Sequence, residues 1–231
     1  MPIDAAVREA QGPRTEMEDS HVLQVVGEDL AGAVFDGHFG PEVAAYAARN
    51  YAFEPGLEPG AALLRIHQGT HHLRDGACAV AFCLESGRLR VANAGDAELA
   101  LVRDDQVEVV TQVHRISNRS ERLRILAAGG VIDGPYAIDP RTGDGLMPTR
   151  GLGDHVFGRI GIVCEPATWE GVFDRGWLVA ACDGLWDVLR AAELPRFLKG
   201  TADDVAASLV REAISGRGSG DNVTVLVAHR T

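Results

Sequence analysis

The sequence predicts one domain of mixed α and β structure with many strands, and three observations carry that expectation. Seven short apolar segments are each bounded by Gly, Asp or charged turn residues. Four longer segments carry helix boundaries. No internal repeat, low-complexity block or Ser/Pro-rich linker divides the 231 residues, of which 46% are apolar, enough to fill a substantial core.

Taken in order, the strands fall at 21–26, 31–35, 77–84, 89–93, 99–103, 177–182 and 223–229. Several are apolar on both faces, so they belong to sheets covered on each side; periodicity leaves open whether they run parallel or antiparallel. Helices fall at 41–50, which opens on Pro41, at 61–72, at 121–128, which ends at Gly129 and Gly130, and at 203–214. Residues 133–149 are rich in Gly, Pro and Asp, show little periodicity and read as a surface loop.

The net charge of −11 argues against a polyanion-binding surface and so against nucleic acid as a partner, because phosphate backbones attract clustered Lys and Arg. The opening MPIDAAVREA places Asp4, Arg8 and Glu9 where a secretory signal needs an uninterrupted apolar stretch, and no run approaches the roughly 18 apolar residues of a membrane helix. The expectation is a cytoplasmic protein with no membrane partner. Cys78, Cys83, Cys164 and Cys182 lack CxxC spacing and read as free buried thiols, neither a zinc site nor a disulfide framework.

The informative feature is a recurrence of acidic residues beside glycine at the ends of apolar strands. AVFDG carries Asp36, VANAGD carries Asp96, LVAACDG carries Asp183, and SGDNVTVLVA carries Asp221 at a strand's entrance. Carboxylates converging from such positions repel one another unless a cation lies between them, and an all-oxygen environment suits Mg²⁺ or Mn²⁺. Asp-Gly is also among the commonest turn dipeptides, so each of these taken singly reads first as a plain turn. The recurrence, with Arg14, Glu16, Glu18 and Asp19 packed into RTEMED, points toward a metal without deciding it.

In order along the chain stand GPRTEMEDSH (12–21), AVFDGHFG (33–40), ANAGDAELALV (92–102), ERLRILAAGGVI (121–132), TRGLGD (149–154), ACDGLWDV (181–188) and GDNVTVLVA (220–228). This series resembles the type 2C metal-dependent serine/threonine protein phosphatases, and the likeness runs from Gly12 to Ala228 as in a compact bacterial-type member. The resemblance implies an α+β fold: a four-layer αββα sandwich of two antiparallel sheets flanked by antiparallel helices, forming one catalytic domain over 1–231. It implies that Glu18 binds one cation, Asp183 and Asp221 another, and Asp36 bridges both, with the Gly37 carbonyl as a further ligand. Asp96 with Asp183 would supply a third, weaker site, Asp19 would act through metal-bound water, Arg14 would hold the substrate phosphate, and His38 would be the general acid.

The cofactors so implied are two, or with the third site three, Mn²⁺ or Mg²⁺ ions. The partners are phosphoserine and phosphothreonine proteins, substrates of a Ser/Thr kinase, and the chain is expected to act as a monomer. Two cations sharing a water lower its pKa and ready it for direct attack on phosphorus, and the poor alkoxide leaving group calls for a proton donor. Rival chemistries lack their residues: no cysteine is followed by arginine six positions on, the single lysine, Lys199, precedes Gly200 rather than Ser or Thr, and HExxH and GxSxG are absent. A non-catalytic phosphoprotein-binding relative and a hydrolase of small phosphorylated metabolites remain as alternatives.

Some residues depart from the family's usual pattern. Phe39 stands where DGHGG has glycine, and Ala97-Glu98 where Ser-Arg is usual. Asp154 of LGD reads as a loop anchor in preference to a further ligand, Trp186 as a core aromatic under the site, and His71 and His72 as solvent-exposed. The 133–149 segment, just before TRGLGD, is expected to act as a flap over the site.

Overall fold

Residues 3–231 are described by the computed structural model. Its strands are β1 (Ile3–Ala10), β2 (Ser20–Val26), β3 (Asp29–His38), β4 (Gly76–Glu85), β5 (Arg88–Ala94), β6 (Glu98–Arg103), β7 (Gln106–Val109), β8 (Val131–Asp133), β9 (Tyr136–Ile138), β10 (Gly145–Leu146), β11 (Leu152–Gly153), β12 (Ala167–Val172), β13 (Gly176–Ala181) and β14 (Val223–Arg230). Its helices are α1 (Glu42–Asn50), α2 (Pro59–Gly69), α3 (Arg119–Ala127), α4 (Asp183–Trp186) and α5 (Ala202–Arg211). The seven expected strands and four expected helices are all present, and the last helix continues as a wider π turn over Glu212–Gly216.

Two antiparallel sheets form the centre. One runs β1-β14-β13-β6-β7, the other β12-β5-β4-β3-β2 with β11 added beside β4. Strand alternation divides the apolar residues into layers. On β3, Leu30 and Val34 face the other sheet, whereas Ala31, Ala33 and Phe35 pack beneath α1 and α2. On β14, Leu226 and Ala228 face inward, whereas Val223, Val225 and Val227 lie beneath α5. Burial on both faces is why these strands read as continuous apolar runs, and the result is the expected order of helices, sheet, sheet, helix. The two sheets approach closely where β3 lacks a side chain: a Cβ on Gly32 would overlap the Phe82 ring and crowd Leu226.

The strands absent from the sequence reading are peripheral. β7 is a short edge strand with three of its four residues exposed and the fourth half-buried, β12 alternates exposed with half-buried residues, and β1 is half-buried with alanine at three positions. Weak contrast between their faces leaves little period to detect.

The segment 133–149 corrects the expectation of a plain surface loop. It contributes the end of β8 and all of β9 and β10 to a three-stranded antiparallel sheet. Ala137 and Leu146 from this small sheet are buried against Ile116, Ile125, Phe157, Ile160 and Ile162, a satellite core apart from the main layers. Asp139 at its bend is buried, ion-paired to Arg159, and accepts from the Arg141 amide at 3.0 Å. Gly, Pro and Asp mark the tight bends here; the strands between them are too short to register as a period.

Candidate active site

Strand ends from both sheets meet at one edge of the sandwich. Asp36, Gly37 and His38 finish β3, Asp96 follows β5, Asp183 opens α4 directly after β13, and Asp221 precedes β14. A cavity of about 220 Å³ opens among them, walled by Arg14, Asp36, His38, Asp96, Asp183 and Asp221. Its rim is apolar, formed by Phe39, by Tyr136 and Leu146 of the small sheet, and by Met147 and Pro148 just after it.

Asp36, Asp96 and Asp183 each offer a carboxylate oxygen within 4.8 Å of the others, and Asp36 forms a second such group with Asp19 and the Cys182 thiol. Burial, reinforced by the charges of Asp183, Asp19, Asp96 and Asp221, pushes the Asp36 carboxyl well above the usual range. Burial and the charges of Asp96 and Asp187 raise Asp183 to about 7 despite Arg115. Burial raises Asp19 to about 6, against the opposing hydrogen bond from the Thr224 hydroxyl at 2.7 Å. Carboxylates held this close resist ionisation on their own, so the donor set fits hard divalent cations.

The remaining expected ligands lie nearby in other arrangements. Asp221 accepts from Arg14 Nη2 at 2.6 Å and from the Asn222 amide at 2.7 Å, and joins neither converging group. Arg14 also donates to the Gly220 carbonyl at 3.2 Å, so its half-exposed guanidinium rests at the rim on a carboxylate. Glu18 stands close to β3, because a Cβ on Gly37 would collide with the Glu18 carbonyl; its carboxylate belongs to neither group. Gly37 itself lines the cavity.

His38 has a partner that the sequence did not reveal. Its Nε2 lies 2.9 and 3.0 Å from the two oxygens of Asp154, and since a carboxylate only accepts, Nε2 carries the hydrogen. Burial alone would lower the His38 pKa; the charge and hydrogen bond of Asp154 outweigh it and leave the imidazole raised. Asp154 is therefore more than a loop anchor: it is buried, adopts a left-handed backbone at φ 53°, and turns its carboxylate back across Gly76, where any Cβ would clash with it. A charged side chain 116 residues downstream of His38 leaves no local trace.

Three further residues organise the site. Asn222 accepts from the Glu18 amide at 2.8 Å and donates to the carbonyls of Gln11 at 2.8 Å and Glu16 at 3.0 Å, fastening the RTEMED loop to the start of β14. Cys182 is buried, takes the Thr224 amide at 3.1 Å, and fits the reading of a free thiol while converging with Asp19 and Asp36. Arg115 donates from Nε to Asp96 at 2.6 Å, from Nη2 to Asp183 at 2.8 Å and from Nη1 to Asp187 at 2.8 Å. Only the DNVTV and ACDG segments gave any signal for the first two; VHRIS gave none for Arg115. Trp186, half-buried, donates its indole N–H to Ala181 and packs on the α5 side, and His71 and His72 are exposed.

Comparison with known proteins identifies the family and the fold. The protein phosphatase 2C family model matches residues 56–223. The chain is 32% identical to Probable protein phosphatase 2C 55 of Oryza sativa subsp. japonica, over 94% of its own length and 63% of that relative's. It is 33% identical to Probable protein phosphatase 2C 59 of the same plant, over 94% of its own length and 72% of that relative's. The fold matches a serine-threonine phosphatase 2C from Toxoplasma gondii with a TM-score of 0.80 at 19% identity, covering 99% of this chain and 95% of that one. The family model spans most of the chain and the fold agrees throughout: the chain belongs to the protein phosphatase 2C family.

Proposed function

We propose that this chain is a metal-dependent protein serine/threonine phosphatase. The convergence of Asp36, Asp96 and Asp183 in a cavity that also holds Arg14 and the His38–Asp154 pair carries this reading. Glu18, Asp36, Asp183, Asp221 and the Gly37 carbonyl would hold two Mn²⁺ or Mg²⁺ ions, with Asp19 behind them. When bound, the pair supplies Lewis-acid polarisation of the phosphoryl group and activation of a water.

The chain's own side chains do the rest. Arg14 exchanges Asp221 for two phosphoryl oxygens, a bidentate match that orients phosphorus and offsets its developing charge. His38 is held as the cation by Asp154 through Nε2–H, which leaves Nδ1–H as the proton passed to the departing serine or threonine oxygen. Tyr136, Leu146 and Met147 on the 133–149 flap screen the cavity from water.

On this reading the chain is one catalytic domain that works as a monomer in the cytoplasm, removing phosphate placed on proteins by a Ser/Thr kinase, without nucleic-acid or membrane partners. Among the described residues no helix is long and apolar enough to cross a membrane. The test is release of phosphate from a phosphothreonine peptide and from an aryl phosphate with Mn²⁺, with EDTA and Asp183→Ala as controls. Metal-dependent release from the peptide is expected; release from neither overturns the enzyme reading, and release from the aryl ester alone favours a small-metabolite hydrolase.

A further inference from the structure

The pair Asp96 and Asp183, expected to share a third cation, already holds one of the chain's own. Arg115 spends Nε on Asp96 Oδ2, Nη2 on Asp183 Oδ2, and Nη1 and Nη2 on the two oxygens of Asp187 at 2.8 and 3.2 Å. All three guanidinium nitrogens are engaged, and each bond is charge-assisted. A cation seated between Asp96 and Asp183 would have to displace this fork and leave its charge facing another positive charge.

The position of Arg115 is fixed by its backbone as well as by its side chain. The adjacent His114 amide donates to Gly95 at 3.0 Å, the Asn118 amide to the Arg115 carbonyl at 2.9 Å, and Thr149 to the His114 carbonyl at 2.8 Å. Arg115 also bridges to Pro148 at the end of the flap segment. The residue is therefore clamped between the turn that carries Asp96 and the base of the flap, and its guanidinium, one-fifth exposed, projects into the carboxylates. It takes a single oxygen of Asp183, Oδ2, so this bond does not use Oδ1.

We propose that Arg115 is a built-in replacement for the third cation, so that this chain binds two divalent ions where Asp96 and Asp183 alone would admit a third. Arg115 acts as a positioning residue: it neutralises Asp96, holds Asp183 by one oxygen, and ties both to the flap base. This rests on the two-metal reading above.

Counting bound Mn²⁺ tests it, by isothermal titration calorimetry and by equilibrium dialysis with atomic absorption, on the folded full chain. Wild type is expected to saturate at two ions, and Arg115→Ala, verified as folded by circular dichroism, at three. Asp96→Asn in the otherwise wild-type chain is expected to leave the count at two, an arm that needs no substitution at Arg115. Three ions on wild type, falling to two in Asp96→Asn, overturns the proposal and leaves the two-metal reading standing. An Arg115→Ala chain that still saturates at two overturns it as well. No bound Mn²⁺ on wild type overturns the metal reading itself.

Discussion

His38 and Asp154 show how a residue's role is completed by one the sequence places far away. If His38 donates the proton, His38→Ala slows hydrolysis of a phosphothreonine peptide by roughly 10²–10⁴-fold and affects an aryl phosphate, whose leaving group needs less protonation, much less. Asp154→Asn keeps an acceptor but removes the charge, so the same selectivity is expected at a loss of roughly tenfold, about the worth of one charge-assisted hydrogen bond. Steady-state kinetics on the two substrates decide this, and equal losses on both count against a proton-transfer role. Phe39 was legible as a departure, but its consequence was not. Its backbone sits at φ 63°, where glycine is at ease, and its exposed ring lies edge-on to His38 and stacked on Phe157 at 6.1 Å. An aromatic at this strained position puts a flat apolar surface at the cavity mouth.

At the scale of elements, the 133–149 segment is a folded unit packed on a satellite core, tied to the site through Arg115 and Pro148. Exchanging 133–149 for a short Gly-Ser turn is expected to raise KM for a phosphoprotein several-fold more than KM for an aryl phosphate; equal changes in both would remove the flap from substrate selection. Beneath it, Glu121 at the start of α3 is fully buried and accepts from Arg150 at 2.6 Å, Arg124 at 2.8 Å and Thr149 at 2.7 Å. Burial alone would raise its pKa; these bonds overcome that and hold it at about 2. Glu121→Gln leaves two arginines without their carboxylate and should cost about 3 kcal/mol, a fall of roughly 6–12 °C in Tm. Because the folded carboxyl is depressed, its contribution is complete above the unfolded value of roughly 4.3 and fades as pH falls toward 2. The gap between wild type and Glu121→Gln should therefore be constant above about pH 5.5 and shrink below it, and thermal melts across that range are the check. ERLRILAAGG displayed Glu121 and TRGLGD displayed Arg150, yet their pairing across 29 residues was invisible.

For the molecule as a whole, the layers were legible because both central sheets are buried on both faces, and the ordered motifs supplied the connectivity that periodicity could not. The positions of Asp36, Asp96, Asp183 and Asp221 were legible for the same reason: each is local, an acid at a strand end. What was hidden joins distant segments, as Arg115 does with Asp96, Asp183 and Asp187, or Asn222 with the RTEMED loop. Loading the site should relieve the repulsion among its carboxylates. With Mn²⁺ at about 100 times its Kd, a gain of about 2.7 kcal/mol is expected, or roughly 5–10 °C in Tm, reversed by EDTA. A calorimetric scan that does not move on adding Mn²⁺ would sink this.

Asp36 lies on a strand of one sheet and Asp183 just beyond a strand of the other, while Gly32 and Phe82 govern how near those sheets come. The spacing between opposing carboxylates is thus gauged by side-chain volume in the interior, well away from any ion. A methyl group added by Gly32→Ala would act as a shim, wedging the halves apart and weakening Mn²⁺ affinity with every carboxylate intact. Selection on the interior of this sandwich is then also selection on the bite of its chelate.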